Sequence, residues 1–280
     1  MTGFSAQWLA LREGVDFVAR DAATRDAALK YFARRDEIRV VDLACGAGSN
    51  PRALAPLLGP RQFWRLVDHD AGLLAGARTA LTAWADAVEG EEPLALRKNT
   101  LRLDFAFERL DLNADLDRAL EGADLVTAAA FFDLVSPEWI ERFCAELARR
   151  RLPLYAVLTY DGRENWTPPH AADAAMLDAF HRHQARDKGF GLAAGPRAGA
   201  MLREALERRG FQVQIGASPW RLGAGEAELI AALGEGAAEA VAQTGLVDAA
   251  VIADWRAARR AASGCEIGHL DIFAFPREVG

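Results

Sequence analysis

The chain has 280 residues, 51% of them hydrophobic, and a formal net charge of −7. That acidic balance excludes a general nucleic-acid binder, which carries a basic surface, and no apolar run approaches the ~20 residues that span a bilayer. The three cysteines, Cys45, Cys144 and Cys265, stand far apart without metal-ligand spacing, as in a reducing cytosol. The opening MTGFSAQWLALREG lacks the basic start and apolar centre of a secretory signal. A cytoplasmic protein with no DNA and no membrane partner is expected.

The first three dozen residues read as a helical cap, 1–36. Ser5 caps one helix bearing Trp8, Leu9 and Leu11; Asp21 or Thr24 caps a second with Ala28, Leu29 and Phe32 inward. Then the period changes. IRVVDLA (38–44) is a short β-branched run, as in a strand buried on both faces. SNPRALAPLL follows as a helix with Pro51 in its first turn. FWRLVDHD (63–70) is a second strand ending in acid, and 71–88 an Ala-rich helix capped by Asp70. Residues 101–112 hold a third strand and 124–135 a fourth. SPEWIERFCAELARR is a helix with Ser136 as cap and Pro137 at its first position. The fifth strand is 152–160, and FQVQIGA (211–217) and GHLDIFAFP (268–276) are the last two. Two helices are expected between Gly225 and Ala262.

This alternation predicts a doubly wound α/β fold: one domain over 1–280, with a mostly parallel seven-stranded sheet and an antiparallel last strand. Two insertions, 161–196 and 218–266, form a helical cap at the carboxyl ends of the strands, where such sheets bind ligands.

VVDLACGAGSN (40–50) joins an acid, Asp42, to a turn through Gly46 and Gly48. Glycines allow positive φ and close approach of a ligand, and the helix that follows directs free amides at it. A second acid, Asp68, closes the next strand, where dinucleotide sites place a carboxylate on the ribose hydroxyls. The third glycine of an NAD fingerprint is missing, because Pro51 stands there. Asp42 suits a ligand with an ammonium and no phosphates. VVDLACGAGSN resembles the first motif of class I S-adenosylmethionine-dependent methyltransferases, D/E-x-G-x-G-x-G, with Asp42, Ala44 in place of the first glycine, Gly46 and Gly48. LVDHD resembles the second motif, which implies Asp68 on the ribose with His69 beside it. RLDLNADL resembles the third, implying Asp111 at the adenine amino group and Leu112 alongside. AAAFFDLVS resembles the fourth, implying Phe131 near the methionine moiety. The resemblance spans about 38–159 and implies S-adenosylmethionine as cofactor. Plainer readings stand beside it: Asp42 as a cap of the turn, Asp68 as an N-cap, Asp111 as a turn acid, Cys45 as a buried filler.

Methyl transfer needs a nucleophile held in line and a base only where that nucleophile loses a proton. The fourth strand lacks the Pro pair of nucleobase-methylating enzymes, so the acceptor reads as O or N of a small molecule. Protein or RNA methylation, or a non-catalytic cofactor-binding subunit, are the alternatives. Three of the five histidines fall in the first insertion. On a helix from 171 to about 187, Met176, Phe180, His183, Gln184 and Asp187 share one side, with His181 at the flank. His183 and Asp187, four apart, make a candidate general base with its orienting acid, or a structural contact; His170 is a second candidate. No metal-ligand spacing is present. Asp133, Tyr160, Asp161, His181 and Lys188 are the candidate substrate residues, and Arg163, Arg182, Arg186 and Lys188 suggest an anionic acceptor. Apolar spacing at Leu229, Leu233, Val247, Val251 and Trp255 gives a helical hairpin that fits a lid, a homodimer surface or plain core. Arg12 or Arg20 is the expected partner of the cofactor carboxylate.

Overall fold

Val40, Val41 and Leu43 are buried because strand β1 (Glu37–Leu43) runs through the middle of one sheet with helices on both faces. The structure, a computed structural model, describes residues 5–277. Beside β1 lie β2 (Arg61–Asp68) and β6 (Leu125–Ala129), both parallel to it. With β5 (Leu101–Arg109) outside β2 and β7 (Leu154–Thr167) outside β6, five parallel strands form the centre. Strand β10 (Gly264–Pro276) joins β7 antiparallel, and β8 (Phe211–Ala217) pairs with β10. The chain moves outward one way from β1 through β2 and the other way from β6, so the crevice between β1 and β6 opens at the carboxyl edge.

Among the described residues the sheet has ten strands, not seven. The expected Ala-rich helix ends early: α4 (Ala71–Trp84) gives way to a hairpin, β3 (Ala87–Gly90) and β4 (Leu94–Lys98). Leu94 and Leu96 alternate inward and β4 covers the flank of β5, which moves the sheet edge out to the short strand β3. The tenth strand, β9 (Trp220–Leu222), pairs with the start of β10.

The strands at the other flank are longer than expected. β7 continues seven residues past Tyr160, and β10 begins before 268, pairing from Gly264↔Thr167 to Ala274↔Leu154. Both insertions pack on this arm. Helix α7 (Asp173–Gln184) meets α9 (Ala227–Ala242), which hairpins to α10 (Ala249–Arg260). Leu229 and Trp255 are buried there, whereas Val251 faces outward. Arg259, 1% exposed, lies 5.2 Å over the rings of both Trp166 and Trp255, pairs with Asp173 at 3.0 Å and donates to the Pro168 carbonyl.

Helices α6 (Pro137–Arg150) and α8 (Ala198–Glu207) cover the opposite face, with the Ser136 hydroxyl capping Trp139 N as the sequence predicts. At the N-terminus, α1 (Ala6–Ala19) and α2 (Ala22–Phe32) start from Ser5 and Asp21. The helix after the glycine turn, α3 (Ser49–Leu54), stops after six residues in a 3-10 turn containing Pro56. Among the described residues, no helix is long and apolar enough to cross a membrane.

Candidate functional site

The glycine turn leaves β1 through three residues with left-handed backbones: Ala44 (φ 50°), Gly46 (φ 53°) and Gly48 (φ 70°). Ala44 thus keeps the backbone that a glycine adopts freely, at a cost of about 1 kcal/mol. A Cβ on Gly48 would lie 3.1 Å from the Ala77 Cβ of α4, and one on Gly46 3.1 Å from Leu9 of α1. So α1 lies directly over the turn. It is fixed there by Arg52, which holds both Glu13 oxygens at 2.7 Å, and by Asp16, which accepts from Arg12 (2.8 Å) and Trp220 (3.0 Å).

Two acids meet this turn. Asp68 Oδ2 accepts from Gly46 N and Oδ1 from Asp70 N, each at 3.0 Å, so the two motifs are joined by a hydrogen bond. Asp70, not Asp68, is the N-cap of α4. The His69 ring is exposed, with Nδ1 3.3 Å from Asp68. Asp42 is fully buried. Its Oδ1 accepts from Asn50 Nδ2 and Thr127 Oγ1, each at 2.7 Å, while Oδ2 has no partner. Burial pushes its carboxyl up to about 6, an effect that the Arg20 charge partly offsets. Arg20 itself has Nε and Nη1 buried without partners. Unpaired buried polar atoms cost about 1–3 kcal/mol each; Asp42 Oδ2 and Asn50 Oδ1 are left so at the turn, as is the guanidinium of Arg20, whose charge acts on Asp42.

Asp111 lies two residues beyond β5, exposed, and accepts from Asn113 N at 2.9 Å as a turn acid does. Leu112 is buried, and its carbonyl takes the Trp139 indole. Phe131 is buried among Phe132, Trp139 and Phe190, with ring centroids 5.4–5.5 Å apart. Cys45 is buried and its thiol is pushed far up by desolvation, as a filler would be.

The second half of the site lies past β6 and along β7. Asp133, 6% exposed, accepts from Gln184 through Oδ2, leaves Oδ1 without a partner, and is pushed by burial up to about 6. Next to it, Tyr160 donates to Glu164 (2.9 Å) and its oxygen lies 3.0 Å from His181 Nε2. Burial pushes the Tyr160 hydroxyl and the Glu164 carboxyl up and the His181 imidazole down. His269 packs against Trp220 and is depressed to about 4 by burial and the Arg12 charge, so it is neutral.

The expected pairing of His183 with Asp187 does not form. Helix α7 ends at Gln184, so the two are not one helical turn apart. His183 Nε2 bonds Gln243, and Asp187 accepts from Gly189 N and Gly191 N. His170 faces Asp254 at the far end of α7. The flank residue, His181, is the histidine of this insertion that reaches Tyr160. The cations expected to hold an anion are engaged elsewhere: Arg163 with Asp161, Arg182 with Asp178, Arg186 with the Gln243 carbonyl. Lys188 is half-exposed, its ammonium pushed down by desolvation and Arg186. Asn50, Thr127, Glu164 and Gln184, which bond Asp42, Tyr160 and Asp133, are candidate-site residues that sequence reasoning missed. Glu164 shares a strand face with Tyr160, a signal visible only once the strand is carried past 160. Among the described residues, no three His, Cys, Asp or Glu side chains gather as a metal site.

No protein-family model matches the chain, and no curated protein matches it in sequence. Solved structures do match. A putative methyltransferase from Bacillus halodurans superposes with a TM-score of 0.51 at 12% identity, covering 91% of this chain and 100% of that one. A cyclopropane-fatty-acyl-phospholipid synthase-like protein from Lactobacillus casei gives 0.51 at 14% identity, covering 98% and 95%. A cyclopropane synthase from Mycobacterium tuberculosis gives 0.50 at 12%, covering 96% and 94%. At such identities the likeness is one of fold: the doubly wound, mostly parallel sheet with flanking helices that these structures share with this chain.

Proposed function

We propose that the chain is an S-adenosylmethionine-dependent methyltransferase acting on O or N of a small molecule. One observation carries the reading: Asp42, at the foot of the glycine turn, has a buried oxygen without a partner, and Arg20, whose charge acts on Asp42, has buried N–H groups without partners. An unpaired cation and an unpaired anion together match a ligand that bears both a carboxylate and an ammonium, as the methionine end of the cofactor does. When bound, S-adenosylmethionine supplies a methyl group activated on a positively charged sulfur.

The chain's own residues do the rest. Arg20 takes the carboxylate and Asp42 the ammonium. Asp68 accepts from the ribose hydroxyls, with His69 at the rim, and Asp111 and Leu112 border the adenine. Ala44, Gly46 and Gly48 let the backbone approach closely. Helix α1 covers the turn and keeps water out. Where the acceptor must lose a proton, Asp133 is the base of choice: it is held at about 6, near working pH, and its Oδ1 is unengaged. Tyr160, His181 and Asp161 border the acceptor, while His183, Asp187, His170 and Lys188 lie outside this cluster and take supporting roles in the cap. A small acceptor suits a site roofed by α1 and by both insertions.

Titration calorimetry tests the cofactor: S-adenosylmethionine and its demethylated product bind and NAD does not, and NAD binding alone would sink the assignment. A methyl-transfer screen over metabolite pools with mass readout tests turnover; cofactor binding with no methylated product would leave a binding subunit in place of an enzyme.

A further inference from the structure

A cavity of about 270 Å³ lies between the β7 arm, α7 and the α9–α10 hairpin. Trp166, Met176, Leu177, Phe180 and Trp255 form most of its wall. Phe180 packs edge-on against Tyr160, with centroids 6.4 Å apart, so one residue separates the cavity from the acceptor end of the site. None of the lining residues carries a positive charge; two, Glu164 and Asp173, are acids. The two acids differ. Asp173 is matched by Arg259 and by the Trp255 indole. Glu164 takes a hydrogen bond from Tyr160, and no ion pair among the described residues includes it. A half-buried carboxylate facing apolar walls without a counter-charge is costly to keep, and a cation arriving in the cavity removes that cost.

We propose that this cavity holds the body of the acceptor, a small apolar molecule whose amine is held as its ammonium by Glu164, apart from the O or N that takes the methyl group. The assignment rests on the methyltransferase reading only for the word acceptor; the cavity, its walls and the unmatched acid stand without it. The aromatic walls hold the body of the molecule, and Tyr160 and His181 keep the Glu164 carboxylate turned toward it. The charge of the pocket is thus opposite to the one that the surrounding arginines suggest in the sequence, because those arginines are satisfied on the outer surface.

The test is calorimetry at about pH 7.5, where alkyl amines are cationic, with n-hexylamine and 2-phenylethylamine as probes, with and without S-adenosylhomocysteine. The alcohols and carboxylates of the same skeletons are the controls. The amines bind, and the controls bind at least about tenfold more weakly. Glu164→Gln keeps an acceptor for the Tyr160 hydroxyl, so the melting temperature holds, the amines weaken at least about tenfold and the alcohols are unchanged. Ala237→Phe fills the cavity and abolishes binding of every probe. Failure of both amines to bind, equal binding of the carboxylates, or a preference for amines that survives Glu164→Gln overturns the inference. Amine binding with no methyl transfer would sink the enzyme reading and leave the pocket. Methyl transfer to acceptors indifferent to Glu164→Gln would sink the pocket and leave the enzyme.

Discussion

Replacing Asp42 by Asn will stabilise the free protein at neutral pH while weakening cofactor binding. Burial holds this carboxyl at about 6 against an ordinary 3.8. A carboxyl raised in this way binds its proton more tightly folded than unfolded. Its contribution to stability is therefore largest below about 4, falls as pH rises toward about 6 and stays at its lowest above that. The difference corresponds to about 3 kcal/mol. Asparagine keeps the bonds from Asn50 and Thr127 through its own Oδ1. Its amide N–H groups take the place of an oxygen that has no partner and are left unpaired in turn, which costs about 1 kcal/mol. The net gain is about 2 kcal/mol near pH 8. Asp133, also at about 6, and His269, at about 4, titrate in the same window. Their signs are opposite: the neutral buried histidine loses stability as pH falls below about 6.5. The wild-type curve therefore mixes these terms, and the difference between variant and wild type isolates Asp42. Urea unfolding of both proteins across this range measures it. An advantage of about 2 kcal/mol near pH 8 that vanishes near pH 4 fits the reasoning; a variant less stable at pH 8, or an advantage independent of pH, refutes it.

Asp68→Ala removes the acceptor for Gly46 N and Asp70 N; calorimetry will show cofactor affinity down at least about a hundredfold, with about 1–3 kcal/mol lost from stability by urea unfolding. Asp133→Asn will lower turnover by about 10²–10⁴ for an acceptor that must lose a proton, and leave cofactor affinity intact. The wild-type rate should fall away below about pH 6 as Asp133 takes up its proton. Arg259→Met breaks a buried pair with Asp173 and leaves the rings of Trp166 and Trp255 without their cation. A loss of about 3 kcal/mol is expected in thermal unfolding, and an unchanged melting temperature would count against the role given to this arginine. His183→Ala loses a partly exposed bond to Gln243; turnover within about twofold of wild type is expected, and a large fall would return His183 to the mechanism.

The centre of the fold was legible in the sequence because its signals are local. A β-branched run, an acid and two glycines within eleven residues specify strand, turn and helix start together, and Asp42, Gly46, Gly48 and Asp68 do converge. The edge hairpin was hidden by its context. Residues 87–98 alternate correctly around Gly90 and Pro93, but they follow an Ala-rich helix whose pattern reads straight through Trp84. The arm of β7 was missed for a related reason. Past Tyr160 the chain reads as polar loop, since only one face of DGRENWT is covered, and the partner that makes it a strand lies about a hundred residues away in β10. The misplacement of His183 follows directly: pairing at four residues' separation needs a helix that continues, and α7 stops at Gln184. Buried partners such as Asn50 and Thr127 are set by tertiary contact, and nothing local announces them.

The two insertions sit far apart in the chain yet rest on one two-stranded arm, with α7 against α9. They are therefore a single transplantable unit written in two pieces. A chimaera that borrows only residues 161–196 from a relative would set a foreign α7 against the resident α9 and leave Arg259 without Asp173. One that borrows both pieces keeps those contacts internal, so changes in the two segments should be strongly coupled within the unit and nearly additive with changes at the glycine turn. Altering what the protein recognises means redrafting both pieces at once, while the turn below them stays as it is.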